Sequence, residues 1–87
     1  MNIENIELNR GDKVYVRFLD HFNHQEQLGL TASLEQEQMG FYVRENKDYL
    51  YISLSRHTYD GKVESYEEIV GVIKGDIEAI CVLSGAY

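Results

Sequence analysis

Short stretches in which every second residue is apolar dominate this chain of 87 residues. They occupy positions 14–18, 28–34 and 50–54, and a nearly continuous apolar run follows at 69–73. Successive side chains of a strand point to opposite faces, so this alternation places one face of each strand against a core. Alanine, leucine and lysine never accumulate at helical spacing over the length of a helix. We therefore predict an all-β chain.

Turn signals and glycines divide the chain into five or six predicted strands. Asp60-Gly61 is the clearest turn, because this pair tolerates the positive φ angles of a tight hairpin. Glu45–Asp48 and Lys74–Asp76 also interrupt the pattern, and Glu35–Gln38, which has no apolar side chain, is predicted to be a strand end or a loop. Short, glycine-bent strands favour a small, strongly bent five- or six-stranded barrel over a flat sheet with exposed edges. Residues 3–8 fit either a first strand or a short helix.

The length of the chain predicts a single domain over residues 1–87. A domain of this size buries only about 60 to 65% of the surface that its unfolded chain exposes. Its core is therefore thin, and association with further copies is a natural way to cover more apolar area.

One cysteine and the absence of long apolar segments indicate the compartment. Cys81 excludes an internal disulfide framework, and its place in an apolar strand predicts a core residue. The segment Met1–Asn5 lacks the basic flank and apolar run of a secretion signal, and no stretch approaches the roughly 18 apolar residues of a membrane span. We expect a soluble, cytoplasmic protein without a membrane partner.

The balance of charge restricts the ligands. Fifteen acidic residues against eight basic ones give a net charge of -7, which repels phosphate backbones. Duplex DNA is therefore not an expected partner. A local basic site at a pocket or pore remains able to attract a single strand.

The sequence contains no established catalytic constellation. It has no Gly-x-Ser-x-Gly elbow and no phosphate-cradling glycine loop, so we predict neither enzymatic activity nor a cofactor. His21 and His24, beside Asp20, offer imidazole and carboxylate groups to a metal ion. A structural zinc site needs four convergent ligands, and a polar loop with two histidines is more often solvated, so no metal site is predicted.

Two segments of the chain have the form of known motifs. Ile73–Ile80 joins an apolar residue, a basic residue and a glycine to a short apolar-spaced strand, and Gly29–Glu35 places a glycine before an apolar and then an acidic residue. They resemble the second and first motifs of the Sm-like family of small β-barrels, which includes the LSm and bacterial Hfq proteins. The resemblance covers residues 12–83. The spacing after Gly75 is similar to that of the Hfq branch, which has histidine in this place, and Glu35 replaces the usual aspartate.

The resemblance implies a homo-oligomeric ring of about five to seven copies, closed head to tail, with single-stranded RNA near its pore. Copies of the Lys74 charge would then converge on the ligand. RNA-binding positions would be Glu35, Met39, Gly40, Lys74 and Gly75. The apolar strands on either side of Lys74 would pair between neighbouring copies. The interface residues expected on these strands are Ile69, Val70, Val72, Ile73, Ile77, Ile80 and Val82.

Other interpretations of the same residues stay open. Lys74 also fits a solvated turn, and alternating tyrosines such as Tyr49 and Tyr51 usually form cross-strand pairs rather than base-stacking platforms. The competing class of protein is a monomeric or dimeric SH3-like interaction module that binds a peptide or host protein through a tyrosine-rich face. A compact, acidic, cysteine-poor chain suits a divergent Sm-like member carried by a phage or mobile element.

Overall fold

The computed structural model describes residues 6–20 and 34–83, and within them the fold is all-β, as predicted. The five strands, in chain order, are β1 (Lys13–Asp20), β2 (Leu34–Glu45), β3 (Tyr49–Tyr59), β4 (Lys62–Ile73) and β5 (Ile77–Val82). A 3-10 turn at Lys74–Asp76 joins β4 to β5. The described ranges contain no α-helix, and none of their helical segments is long and apolar enough to cross a membrane.

All five strands belong to one antiparallel sheet in the order β4-β3-β2-β1-β5. Consecutive strands β1 to β4 are neighbours, and β5 returns to the free side of β1. This is a small, strongly bent, barrel-like sheet of five strands. Its two edge strands, β4 and β5, are the elements that flank the Lys74–Asp76 turn.

The core lies on the concave side of this sheet and draws on every strand. Its alternating positions on β1 and β3, predicted from the sequence, are fully buried because their side chains point to one face. The buried cluster consists of Val14, Val16, Tyr42, Leu50, Ile52, Val72, Ile77 and Ile80, with Ile6, Leu8, Phe18 and Val70 packed against it.

Three local features bend the strands. At Gly40 the chain approaches β3 so closely that a Cβ atom there would lie 2.6 Å from the carbonyl oxygen of Ser53. The β2–β3 register shifts between Tyr42 and Arg44, which leaves Val43 as a bulged residue. On β4, Glu68 adopts the left-handed region with a φ of 51°. Together these positions curve the sheet around a core too small for flat strands.

The predicted hairpin turn at Asp60-Gly61 is confirmed. Both residues have positive φ, 52° and 77°, as a two-residue type I′ connection requires. The outer part of this hairpin, His57–Glu64, is exposed on both faces. It therefore extends beyond the part of the sheet that covers the core.

Of the two possibilities predicted for Glu35–Gln38, a strand end or a loop, the strand end is correct, because these residues lie near the start of β2 and pair with β1. Two expectations about individual residues are wrong. Leu54 is 38% exposed while Ser53 is fully buried: the alternation of burial along β3 reverses after Ile52, where β2 closely approaches the Ser53 carbonyl at Gly40. Cys81 is exposed rather than in the core, since Ile80 takes the inward position on β5.

Some predictions fall outside the described residues. These are the strand at 28–33, the histidines His21 and His24, and the segment 1–5. Residues 6–8 are neither helix nor strand, so for this part of the chain neither alternative holds.

Candidate functional site

The two edge strands each present one uncharged segment. On β4 it is Ile69–Ile73, between Glu68 and Lys74, and on β5 it is Ala79–Val82, after Glu78. Within the described residues β4 pairs only with β3, and β5 only with β1. An edge that combines open backbone positions with apolar side chains is a template for another strand.

Charges and bulges limit these segments on both sides. The outer half of β4, Lys62–Glu68, carries four charged residues among seven, and Glu68 has a positive φ within the strand. On β5 the register with β1 shifts around Glu78. Bulges and charges are the devices by which proteins prevent unwanted edge pairing. The two short uncharged segments are therefore the parts of the edges suited to strand addition.

The predicted interface residues fall into three groups by their burial. Ile69 and Val82 are 51% and 40% exposed and offer their side chains to a neighbour. Val70 and Ile73 are half-buried. The remaining three pack in the core of a single subunit and can take part in an edge contact only through their backbone: Val72, Ile77 and Ile80.

The predicted RNA-binding residue Lys74 is held by a carboxylate. Its Nζ lies 2.6 Å from Glu45 Oε2, and its backbone N–H donates to the carbonyl of Asp48 over 2.8 Å. The hydroxyl of Tyr42 donates to the other oxygen of Glu45 over 3.0 Å. Burial and this hydrogen bond raise the pKa of Tyr42. The β2–β3 turn and the β4–β5 turn thus meet, but the charge of Lys74 is largely compensated.

Asn46 completes this junction, and the sequence analysis missed it. Its Oδ1 accepts hydrogen bonds from the backbone N–H groups of Asp48 and Tyr49, at 2.9 and 2.8 Å, and its Nδ2 lies 3.4 Å from the hydroxyl of Tyr51. An asparagine that bonds to the backbone two residues ahead is a recognisable turn signal. That signal marks the turn whose Asp48 carbonyl accepts the backbone N–H of Lys74, whereas the family resemblance implies RNA-binding positions at Met39 and Gly40.

The other predicted RNA-binding residues lie elsewhere. Met39 is 65% exposed and, with Gly40, lines a shallow apolar pocket of about 240 Å³ shared with Lys13, Phe41, Leu54 and Leu83. Glu35 lies near the start of β2, opposite Leu19. Gly75 is exposed beside Lys74. The structure thus groups Met39 with Gly40 and Lys74 with Gly75, in different parts of the sheet.

A second surface, which we call the basic–aromatic row, was also missed. It consists of Arg10, Lys13, Phe41, Arg56 and Tyr66. The guanidinium carbon of Arg56 lies 4.1 Å from the Phe41 ring centroid, and that of Arg10 lies 5.2 Å from the Tyr66 centroid. The ammonium of Lys13 lies 5.9 Å from the Phe41 centroid. Its members come from four distant segments, so no local pattern in the sequence indicates it.

Two carboxylates share one arginine at the start of β2. Arg17 Nε lies 3.8 Å from Glu35 and 4.0 Å from Glu78, yet it is buried without a hydrogen-bond partner. The hydrogen bond between Glu78 and Glu35 raises the pKa of Glu78, with burial and the repulsion of Glu35 acting in the same direction and Arg17 against them.

This raised pKa predicts a dependence of stability on pH. The folded chain holds the Glu78 proton more tightly than the unfolded chain, so stability falls as pH rises from the ordinary glutamate value of about 4.3 through the raised value. We expect Glu78→Gln to be at least as stable as the wild type at neutral pH, with a difference that disappears near about pH 4. Melting temperatures of the two proteins across this range measure it. A Glu78→Gln protein whose deficit grows with pH would contradict the assignment.

Comparisons with known proteins give no relative from which to transfer a function. No protein-family model matches the chain, and neither curated proteins nor solved structures show a significant match.

Proposed function

We propose that this protein is an Sm-like, ring-forming protein that binds single-stranded RNA. The observation that carries the proposal is the pair of uncharged edge segments, Ile69–Ile73 and Ala79–Val82, on opposite sides of one bent sheet. The resemblance of Ile73–Ile80 to an Sm-like motif supports the same assembly.

The two edges support a head-to-tail contact. The strands β4 and β5 are different surfaces of one subunit. When β4 of one copy pairs with β5 of the next, the first and last copies still have one open edge each. These two edges are covered only when the row of copies closes into a ring. Each contact would cover Ile69 and Val82, which a lone subunit exposes to water. A core of this size gains most from such additional burial.

The charge distribution favours a single strand over a duplex. A net charge of -7 opposes the long, regular phosphate array of a duplex, whereas a local cation can still engage a flexible strand. In a ring, the junction of Lys74 with the β2–β3 turn would recur once per subunit. The Glu45 carboxylate competes with RNA for each Lys74 ammonium.

The mass of the purified protein in solution tests the assembly. We expect about five to seven copies at micromolar concentration by light scattering or sedimentation, the ring size that the Sm-like resemblance implies, because head-to-tail contacts close into a ring. One or two copies would overturn the ring.

The Lys74–Glu45 pair gives a separate test of RNA binding. Lys74→Ala is expected to weaken the binding of labelled oligouridylate or oligoadenylate. Glu45→Gln is expected to strengthen it, because the amide keeps the acceptor for Tyr42 and releases the ammonium. Fluorescence anisotropy on both variants, with their mass checked, measures this. Equal affinities of all three proteins would remove Lys74 from the RNA site.

An SH3-like interaction module is the second candidate. It is favoured by the half-exposed pair Tyr49 and Tyr51, whose ring centroids are 5.9 Å apart at a tilt of 30°. Such rings are common in peptide-binding grooves. A monomeric mass together with no affinity for oligonucleotides would favour this candidate over the ring.

A further inference from the structure

Arg10 and Arg56 of the basic–aromatic row are held by aromatic rings, as Arg44 is by Tyr51, and not by carboxylates. Arg17 and Lys74 lie within 4.0 Å of carboxylates, which reduces their effective charge. Arg10 and Arg56 lie against the rings of Tyr66 and Phe41, and no carboxylate among the described side chains, 6–19 and 35–83, forms an ion pair with either. A ring orders a guanidinium without cancelling its charge. These two arginines are therefore positioned cations in an otherwise acidic protein.

The members of the row are contiguous. Arg56 lies directly opposite Tyr66 in the β3–β4 ladder, so the two side chains are neighbours. Gly11 packs against both of these side chains: a Cβ atom at Gly11 would lie 3.0 Å from the Tyr66 hydroxyl and 3.9 Å from Arg56 Nη1. Phe41 lies opposite Lys13 in the β1–β2 ladder. Cations and rings thus alternate in one line across four strands.

The row ends at the shallow apolar pocket. Lys13 and Phe41 belong to both, and exposed Met39 and Leu54 supply apolar lining. At about 240 Å³ the pocket is smaller than the roughly 300 to 1,000 Å³ typical for drug-sized ligands, which suits a single planar ring. A row of cations leading to a site for one flat apolar group matches a phosphate backbone that carries bases.

We propose that the basic–aromatic row binds the backbone of single-stranded RNA and that the adjoining pocket takes one of its bases. The ligand rests on the proposed function, but the site is separate from the Lys74 junction and is complete within one subunit. An acidic peptide would satisfy the cations and leave the apolar pocket without a matching group, so the RNA strand fits more of the surface.

The test compares three single-charge changes. Arg10→Gln and Arg56→Gln each remove one cation of the row, and Lys62→Gln removes an exposed cation at the tip of the same hairpin as Arg56. We expect each row variant to weaken binding of a labelled oligouridylate about tenfold, as loss of a charged hydrogen bond does. The slope of log affinity against log salt should fall by about 0.7 for each. Lys62→Gln should change neither quantity.

Every outcome decides the proposal. If all three variants bind the oligonucleotide as tightly as the wild type, the row is not the RNA site, but the proposed RNA-binding function still stands. If the wild type binds no oligonucleotide, both fail, and a labelled oligoglutamate measured in parallel shows whether the row takes an acidic peptide instead. Arg56→Lys, which keeps the charge, should recover part of the affinity and the full salt slope, whereas a purely structural role of Arg56 predicts no such recovery. Circular dichroism confirms that each variant is folded.

Discussion

Lysine in place of Ile69 or Val82 is expected to convert the assembled protein into single subunits. Both side chains are exposed on a lone subunit, so the substitutions leave its core unchanged. Each substitution would bury a lysine ammonium among the apolar side chains of the contact between edges. A buried charge without a partner costs several kcal/mol, so the contact would be lost. Sedimentation of the variants at the concentration used for the wild type measures the effect.

Val63→Lys is the matched control for this experiment. Val63 lies on the same strand as Ile69 and is 40% exposed, like Val82, but it belongs to the charged outer half of β4. The assembly should survive this change. Cys81, which is exposed on the uncharged segment of β5, supplies a second readout, because its thiol should react with iodoacetamide faster in the dissociated variants. Ile69→Lys and Val63→Lys proteins of equal mass would refute the edge contact.

Gly40→Ala is expected to destabilise the subunit by about 1 to 3 kcal/mol or more, as overpacking does. The added Cβ would lie 2.6 Å from the carbonyl oxygen of Ser53 and 3.3 Å from its carbonyl carbon. Both are backbone atoms of β3, so relief of the contact requires the two strands to separate rather than a side chain to move. Urea denaturation, followed by circular dichroism, measures the loss.

Gly75→Ala is the control for Gly40. Nothing lies within 4 Å of a Cβ atom at Gly75, and its φ is not in the left-handed region, so the change should be neutral or stabilising by up to about 1 kcal/mol. Both variants are best compared in the Ile69→Lys background, because association adds to the apparent stability at a given concentration. Equal denaturation midpoints for the two would show that β2 and β3 can part at Gly40 without cost.

The parts of the fold that local patterns encode were predictable. The Asp60-Gly61 turn depends on two residues that tolerate positive φ, and the buried positions of β1 depend on alternation within one strand. The state of Glu35–Gln38 depends instead on pairing with β1, and the reversed burial of Ser53 and Leu54 occurs where β2 approaches β3 at Gly40. Such contacts between distant segments override the local preference of a strand.

The candidate surfaces divide in the same way. The uncharged edges could be predicted because Ile69–Ile73 and the strand after Gly75 are apolar in the sequence itself. The ion pair of Lys74 with Glu45 could not, since the fold brings together two turns that are far apart in the chain. The basic–aromatic row is the extreme case, because neither Arg10 nor Arg56 has a sequence neighbour that indicates its ring.

The shortness of the open edges has a consequence for a newly made subunit before it meets another. Segments that stack into amyloid are about six or seven residues long, with low charge and high strand preference. Here Lys74 ends one stretch after five residues, Ile69–Ile73, and the Glu78 bulge confines the other to four, Ala79–Val82. If the subunits assemble through these edges as proposed, each uncharged segment is still shorter than the six or seven residues of an amyloid-forming segment, so we expect no fibrils from the lone subunit.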